Sequence, residues 1–390
     1  MWEHGGVKYL VFVPDGCADE PLEELGGRTP LEVASMPRLD AIAARSEVGR
    51  AAVIPAGLPP GSDVGNMAIL GYDPAEFHTG RAPIEAAAMG IELAPGEVAY
   101  RCNLVTIDQA GTMVDFAGGH PSDAQSHPII AAVDAVLGAG RDGIRFHAGV
   151  EYRHLCVMPD SLVDAECVPP HDLTGQPAVL PTGPAGRALR GLMEASRPIV
   201  AKAAAEVAST ATQIWLWGQG ARPVLPEFAT QHGIHGRLSS AVDLVRGLGV
   251  LTGLEVLDVP GATAGFDNDY GAQARACLAS LETLPFFLLH VEATDEAGHA
   301  GDVAEKVTAL ERWDAEIIGP ILDKLGDEPF RILLLPDHAT PCALRTHTSD
   351  SVPYLLFDST IDGAGGVYTE VAVADDEPVV AHELMARLLA

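Results

Sequence analysis

Six side chains stand out for the chemistry they could share. Asp295 and His299 are four residues apart, a spacing that puts both on one side of a helical turn. Asp337 and His338 are adjacent, His347 follows in Thr346-His347-Thr348, and Asp15 closes an apolar run near the start of the chain. Together these carboxylates and imidazoles supply enough ligands for two metal ions of mixed oxygen and nitrogen ligation. Such a set suits Mn²⁺ or Zn²⁺ better than Ca²⁺ or Mg²⁺, which favour all-oxygen shells. Two ions about 4 Å apart clamp the attacking and leaving oxygens of a phosphoryl transfer. Ser62, in Pro59-Pro60-Gly61-Ser62-Asp63, offers a nucleophile just ahead of the apolar helical stretch Val64 to Leu70. A serine there meets free backbone N–H groups and the positive end of the helix dipole. A nearby metal would lower its hydroxyl pKa. Taken singly, each of these residues reads as a turn, cap or surface residue, as His232, His235 and His382 do here. Their placement as a set at strand ends is what points to a metal centre.

The elements that must hold them are legible as apolar runs. Tyr9 to Pro14 leads into Asp15, Phe286 to Val291 into Glu292 and Asp295, and Arg331 to Pro336 into Asp337. Continuous apolar runs bounded by turn residues suit strands buried on both faces of a parallel sheet. Amphipathic helical patterns lie between them, over Pro37 to Ser46, Ala272 to Leu284 and Val303 to Leu325. Alternating strands and helices predict an α/β fold, with Asp15, Asp295 and Asp337 converging where such sheets bind ligands, outside the carboxyl ends of the strands. From about residue 90 the pattern changes to shorter strands, Val98 to Ile107 and Arg145 to Val157, and loops rich in Gly, Pro and Asp. This stretch, 90–207, is expected to be an inserted α+β domain, with 1–89 and 208–390 forming the core domain. Trp215-Leu216-Trp217 is then expected to be a strand re-entering the larger domain, and Val163 to Gly186, with five prolines, a loop.

Composition sets the outer bounds. A chain of 390 residues with 47% hydrophobic and 20% charged residues has the material for a large buried core and is not a disordered one. A net charge of −30 disfavours a nucleic-acid binder, which needs basic residues to neutralise phosphates. The six cysteines form no C-x-x-C pair, so zinc-finger and thioredoxin-like readings have little support, and reduced thiols in a cytoplasm are expected. The start MWEHGGVKYLVFVPDG has no basic leader ahead of a long apolar run, and no apolar stretch approaches the roughly 20 residues of a membrane helix.

In this order, Asp15, Ser62-Asp63, Asp295-x-x-x-His299, Asp337-His338 and His347 resemble the cofactor-independent phosphoglycerate mutases of the alkaline phosphatase superfamily. The flanking text is similar to the shorter, archaeal-type branch: Glu24-Leu25-Gly26-Gly27-Arg28-Thr29-Pro30, Leu70-Gly71-Tyr72-Asp73-Pro74, Thr79-Gly80-Arg81, Arg101-Cys102-Asn103-Leu104, Tyr152-Arg153-His154, Pro170-His171-Asp172 and Arg345-Thr346-His347-Thr348-Ser349-Asp350. The resemblance implies an alkaline-phosphatase-like sheet flanked by helices with a smaller lid domain inserted. It implies interconversion of 3- and 2-phosphoglycerate, a small phosphorylated substrate, through a phosphoserine on Ser62, with two divalent metals and no nucleotide. Asp295, His299 and His347 would hold one metal, and Asp15, Ser62, Asp337 and His338 the other. Asp63 would act as base or orienter beside the transferred group. The inserted domain would bring substrate contacts, with Arg153, His154 and His171 the candidates there and Arg81 and Arg101 near the hinge, and would close over the site to exclude water. Two other phosphotransfer readings share the scaffold, one homoserine kinase-like and one acting on a phosphonate analogue. A metal-binding protein without catalysis is the reading from another class; the intact Ser62 and Asp63 stand against it. The chain's only lysines are Lys8, Lys202, Lys306 and Lys324, and they do not follow the pattern that long-form mutases place beside the metals.

Overall fold

The computed structural model describes residues 6–390; the first five, part of the stretch read above as lacking a leader, lie outside it. The chain divides into two compact units, one formed by residues up to His78 with Val224–Ala390, the other by Thr79–Pro223.

The first unit is built on an eight-stranded sheet. Its strands are β1 (Lys8–Pro14), β2 (Glu47–Ala52), β8 (Gly236–Ser239), β9 (Glu255–Leu257), β10 (Phe286–Val291), β11 (Phe330–Leu334), β12 (Val352–Asp358) and β13 (Val379–Val380). The order across the sheet is β13-β2-β12-β11-β1-β10-β8-β9. All neighbours run parallel except where β12 meets β11 and β2, so the mainly parallel sheet expected from the apolar runs is present. Burial follows the residue types. Leu10 to Val13 and Phe286 to Leu289 expose no surface, as strands covered on both faces require. β1 lies at the centre, with Val13 beside His290 of β10 and Phe12 beside Leu334 of β11. The residues that follow these three strands therefore come out at one edge.

Helices cover the faces. Along Val303–Trp313, Asp314–Ile318 and Gly319–Leu325, the predicted helix forms in three joined segments, the middle one a π-turn. Trp313 packs edge-on against Phe12 with ring centroids 5.6 Å apart. Asp314, the first residue of that π-turn, takes N–H bonds from Leu39 at 2.7 Å and Arg38 at 3.2 Å. The Pro37–Ala43 helix, which has no capping side chain of its own at Met36, is thus capped from another element.

The second unit is a five-stranded antiparallel sheet. Its strands are β3 (Glu97–Ile107), β4 (Met113–Asp115), β5 (Arg145–His147), β6 (Arg153–Pro159) and β7 (Gln213–Ala221). The helices Asp123–Leu137 and Gly186–Val207 pack Ile129, Val133, Leu189 and Met193 with Tyr100, Cys102 and Cys156 of the sheet. The Arg81–Ala88 helix packs Ala82 and Ala86 with Ala99, Leu155 and Val157. Two expectations are corrected here. Trp215-Leu216-Trp217 does not re-enter the larger unit, because β7 pairs with β3 from Val98–Ala221 to Val105–Gln213. The inserted unit is accordingly longer than 90–207 at both ends, taking in the Arg81–Ala88 helix and β7. No helix among the described residues is long and apolar enough to cross a membrane.

Candidate active site

The carboxyl edge of the main sheet gathers the predicted ligands. Asp15 follows β1 and is fully buried, as are Asp337 and His338 beyond β11. Asp295 and His299 lie on the Ala293–Ala300 helix that leaves β10, with His299 Nε2 3.2 Å from Asp295 Oδ2. His347 Nε2 is 3.4 Å from Asp295 Oδ1 and 2.9 Å from His299 Nε2. The His338 ring stacks on His347 at 3.9 Å, and its Nε2 lies 3.5 Å from Asp15 Oδ1.

Ser62 opens the Ser62–Ile69 helix, every residue of which is buried, and its Oγ lies 3.4 Å from His338 Nε2. Two residues fix that helix. Asn66 donates to the Ser62 carbonyl at 3.0 Å and to Asp337 Oδ2 at 2.7 Å. Gly65 lies so close to the Asp337 carbonyl that a Cβ there would overlap it. Gly65→Ala should therefore push the helix off the sheet edge, costing about 1–3 kcal/mol of stability. The displaced Ser62 should lose about 10²-fold in turnover. Unfolding curves and initial rates on one preparation check this, and a near-wild-type rate would refute it.

The donor set is short of positive charge. Burial, then repulsion from Asp337 and Asp295, raises the Asp15 carboxyl well above its usual range. Glu292, buried against Asp15, is raised for the same reasons. Asp295 behaves oppositely: burial would raise it, but bonds from His299 and His347 and the charge of His338 hold it well below. His299 is pushed up to about 9, the pull of Asp295 overcoming its burial, whereas burial takes His338 down to about 4. Two imidazole nitrogens within hydrogen-bond distance of each other need a shared proton or a cation between them. Ligand atoms of Asp295, His338 and His347 lie within 4.8 Å of one another, as do those of Asp15, His290 and Asp337. Both groups combine carboxylate with imidazole, a donor set that fits divalent transition-metal ions.

Behind the ligands runs a polar chain that sequence reading missed. Thr340 donates to Asp295 Oδ1 at 2.5 Å. Lys306, fully buried, donates to the Thr340 carbonyl and to Asp19 Oδ2, both at 2.8 Å. Asp19 in turn donates its N–H to Glu370 Oε1 at 2.8 Å, and Thr29 donates to Glu370 Oε2 at 2.6 Å. Burial pushes the Glu370 carboxyl up to about 7, bonds from Thr29 and Asp19 opposing it. The unfolded chain then releases this proton at lower pH than the folded one, so stability falls as pH rises from the ordinary carboxyl range to about 7. The loss is at most about 3 kcal/mol. Thermal melts between pH 5 and 8 should show it, and Glu370→Gln should flatten the slope; an equal slope in the variant would refute the assignment.

The remaining predicted residues separate. Asp63 Oδ2 lies 2.8 Å from His78 Nε2, a partner with no sequence signal. In the second unit, the Arg101 guanidinium sits 4.5 Å from the Trp217 ring and its Nε 2.9 Å from Glu85. Arg81 approaches the same ring at 6.0 Å and Glu85 at 3.8 Å. His171 meets Trp217 edge-on at 5.3 Å and Phe116 at 6.2 Å, while Phe116 contacts Tyr152, over which Arg153 lies at 5.1 Å. These four basic groups thus share one aromatic cluster. His154 does not join them. It pairs across the sheet with Cys102, is buried, and its Nδ1 accepts the Gly149 N–H at 3.0 Å. Its neighbour Arg153 points to the opposite face, as successive strand residues must.

A family model described as 2,3-bisphosphoglycerate-independent phosphoglycerate mutase matches residues 43–206. A Methanosarcina acetivorans protein of that name is 44% identical over 372 residues, covering 93% of each chain. The chain belongs to this mutase family. A probable mutase of the family from Geobacter sulfurreducens is also 44% identical, again over 93% of both chains. Among solved structures, a Pyrococcus horikoshii protein superposes with a TM-score of 0.81 at 25% identity, covering 98% of this chain and 97% of its own. The cofactor-independent phosphoglycerate mutase of Thermoplasma acidophilum shares the fold with a TM-score of 0.64 at 24% identity, covering 98% and 99%.

Proposed function

We propose that this family member interconverts 3- and 2-phosphoglycerate by passing the phosphoryl group through Ser62. The observation that carries the reading is Ser62 Oγ, at a helix N-terminus, 3.4 Å from His338, which belongs to one donor group and lies 3.5 Å from Asp15 of the other. In the first half-reaction a P–O bond forms to Ser62 Oγ as the bond to one substrate hydroxyl oxygen breaks, and the serine proton ends on that oxygen. The second half-reaction returns the phosphoryl group to the neighbouring hydroxyl and restores the serine. The free N–H groups at the helix start favour the anion. Asp63, held by His78, orients or takes the proton in transit.

Asp295, His299 and His347 would hold one divalent ion, and Asp15, Ser62, Asp337 and His338 the other, with Mn²⁺ or Zn²⁺ the expected occupants. Bound there, such ions would offset the carboxylates, lower the Ser62 hydroxyl pKa and make an acidic edge attractive to a phosphate. Arg81, Arg101, Arg153 and His171 are, in this reading, the contacts for the substrate's anionic groups, since guanidinium binds carboxylate and phosphate in bidentate fashion. A cytoplasmic location accompanies this reading, supported by six cysteines that are all free thiols.

Phosphorus NMR of the Mn²⁺-loaded protein tests the reaction. With 3-phosphoglycerate alone, 2-phosphoglycerate should appear without nucleotide or bisphosphoglycerate. Phosphohomoserine formed only from homoserine and ATP, with no mutase product, would overturn the reading.

A further inference from the structure

His290 was unremarkable in the sequence, one residue inside an apolar strand. In the fold it sits between Asp15 and Ser240, which follow the strands on either side of β10. Its side chain exposes no surface. Nδ1 shares a hydrogen bond with Ser240 Oγ at 3.1 Å, and Ser240 Oγ is itself fixed by the Val242 N–H at 3.0 Å. Nε2 lies 3.1 Å from Asp15 Oδ2, yet neither that nitrogen nor either Asp15 oxygen has a hydrogen bond of acceptable geometry. The Asp15 oxygen is therefore close to Nε2 but off the axis along which the ring would donate. In the tautomer with Nδ1–H on Ser240 Oγ, Nε2 carries the lone pair, and a ring nitrogen of His290 lies within 4.8 Å of carboxylate oxygens of Asp15 and Asp337. A buried lone pair facing two carboxylates is repulsive unless a proton or a cation lies among them, and three donors from three strand ends suit a cation.

We propose that His290 is a direct ligand of the cation held by Asp15 and Asp337, with Ser240 fixing its tautomer and ring orientation. This rests on the two-metal reading above and adds to it a nitrogen ligand beyond His338, on the other oxygen of Asp15. A serine behind the ligand plays the part an outer oxygen partner plays behind metal-bound histidines, and losing such partners weakens metal affinity about 10- to 100-fold.

The test is a titration of the metal-free protein with Mn²⁺, reading free ion by electron paramagnetic resonance. Wild type should bind two equivalents. His290→Asn should weaken one of them by about 100-fold or abolish it, and Ser240→Ala should weaken the same one by about 10-fold. His299→Ala should weaken the other equivalent instead, which separates a ligand effect from general loosening. Both equivalents binding with wild-type affinity in His290→Asn and Ser240→Ala would overturn the assignment while leaving the two-metal reading intact. If His290→Asn does not fold, Ser240→Ala decides alone, because it keeps the ligand and removes only its orientation. Failure of wild type to bind Mn²⁺ or Zn²⁺ at all would overturn both.

Discussion

Replacing Ser62 by alanine should lower turnover by roughly 10⁴-fold or more, since in the proposed reaction its Oγ carries the phosphoryl group between hydroxyls. That loss corresponds to about 5.5 kcal/mol of barrier. The fold should survive, because the lost oxygen meets His338 Nε2 at a long 3.4 Å, while the helix is held by Asn66 and by Gly65 against Asp337. Rates from the coupled formation of 2-phosphoglycerate, with metal content and melting temperature on the same sample, make the comparison. Acid-quenched wild type mixed with labelled substrate should carry phosphate on Ser62, and the variant none. A variant retaining more than about one per cent of the rate would remove Ser62 as the nucleophile.

Lys306→Met should destabilise the first unit by about 3–5 kcal/mol, the cost of stranding one partner of a buried ion pair. The lysine is the cation facing Asp19, and it also holds the Thr340 carbonyl, so its loss leaves a buried carboxylate with only N–H partners, from Glu20 and Cys342, and takes a donor from an amide oxygen. Thr340 is the residue that bonds Asp295, so the damage should reach the ligands as well as the stability. Urea unfolding gives the size. Adding Asp19→Asn to Lys306→Met should recover part of the loss, because the stranded charge is then gone. A cost below about 1 kcal/mol would mean that water reaches the pair.

The candidate ligands Asp15, Asp295 and Asp337 were legible because each follows a run of apolar β-formers, and that arrangement is itself what gathers them. Local pattern tells a buried strand from a helix, and the Asp295–His299 spacing survives as a real contact on the Ala293–Ala300 helix. Pairing is not local. Trp215-Leu216-Trp217 has the same apolar character as the central strands, yet its partner is β3, and nothing within the run says so. His290 and Lys306 escaped for a related reason, since a polar residue in an apolar run or on a helix declares its role only through what folds against it. His154 was readable in principle: adjacent to Arg153 on a strand, it had to face the other way.

The central position of β1 has a consequence for how the chain is made. Tyr9 pairs with Phe286 on one side and Arg331 on the other, so the innermost strand is made before both and has no neighbour until the chain has reached Phe286. The Thr79–Pro223 unit is contiguous in sequence and completes its own sheet earlier. Contacts this distant make for slow closure and a high contact order. A nascent chain ending before Phe286 carries a largely apolar strand with both edges open, the kind of segment that aggregates unless a chaperone shields it. The strand arrangement that brings the site's ligands together is therefore also the one that makes the first unit the last to assemble.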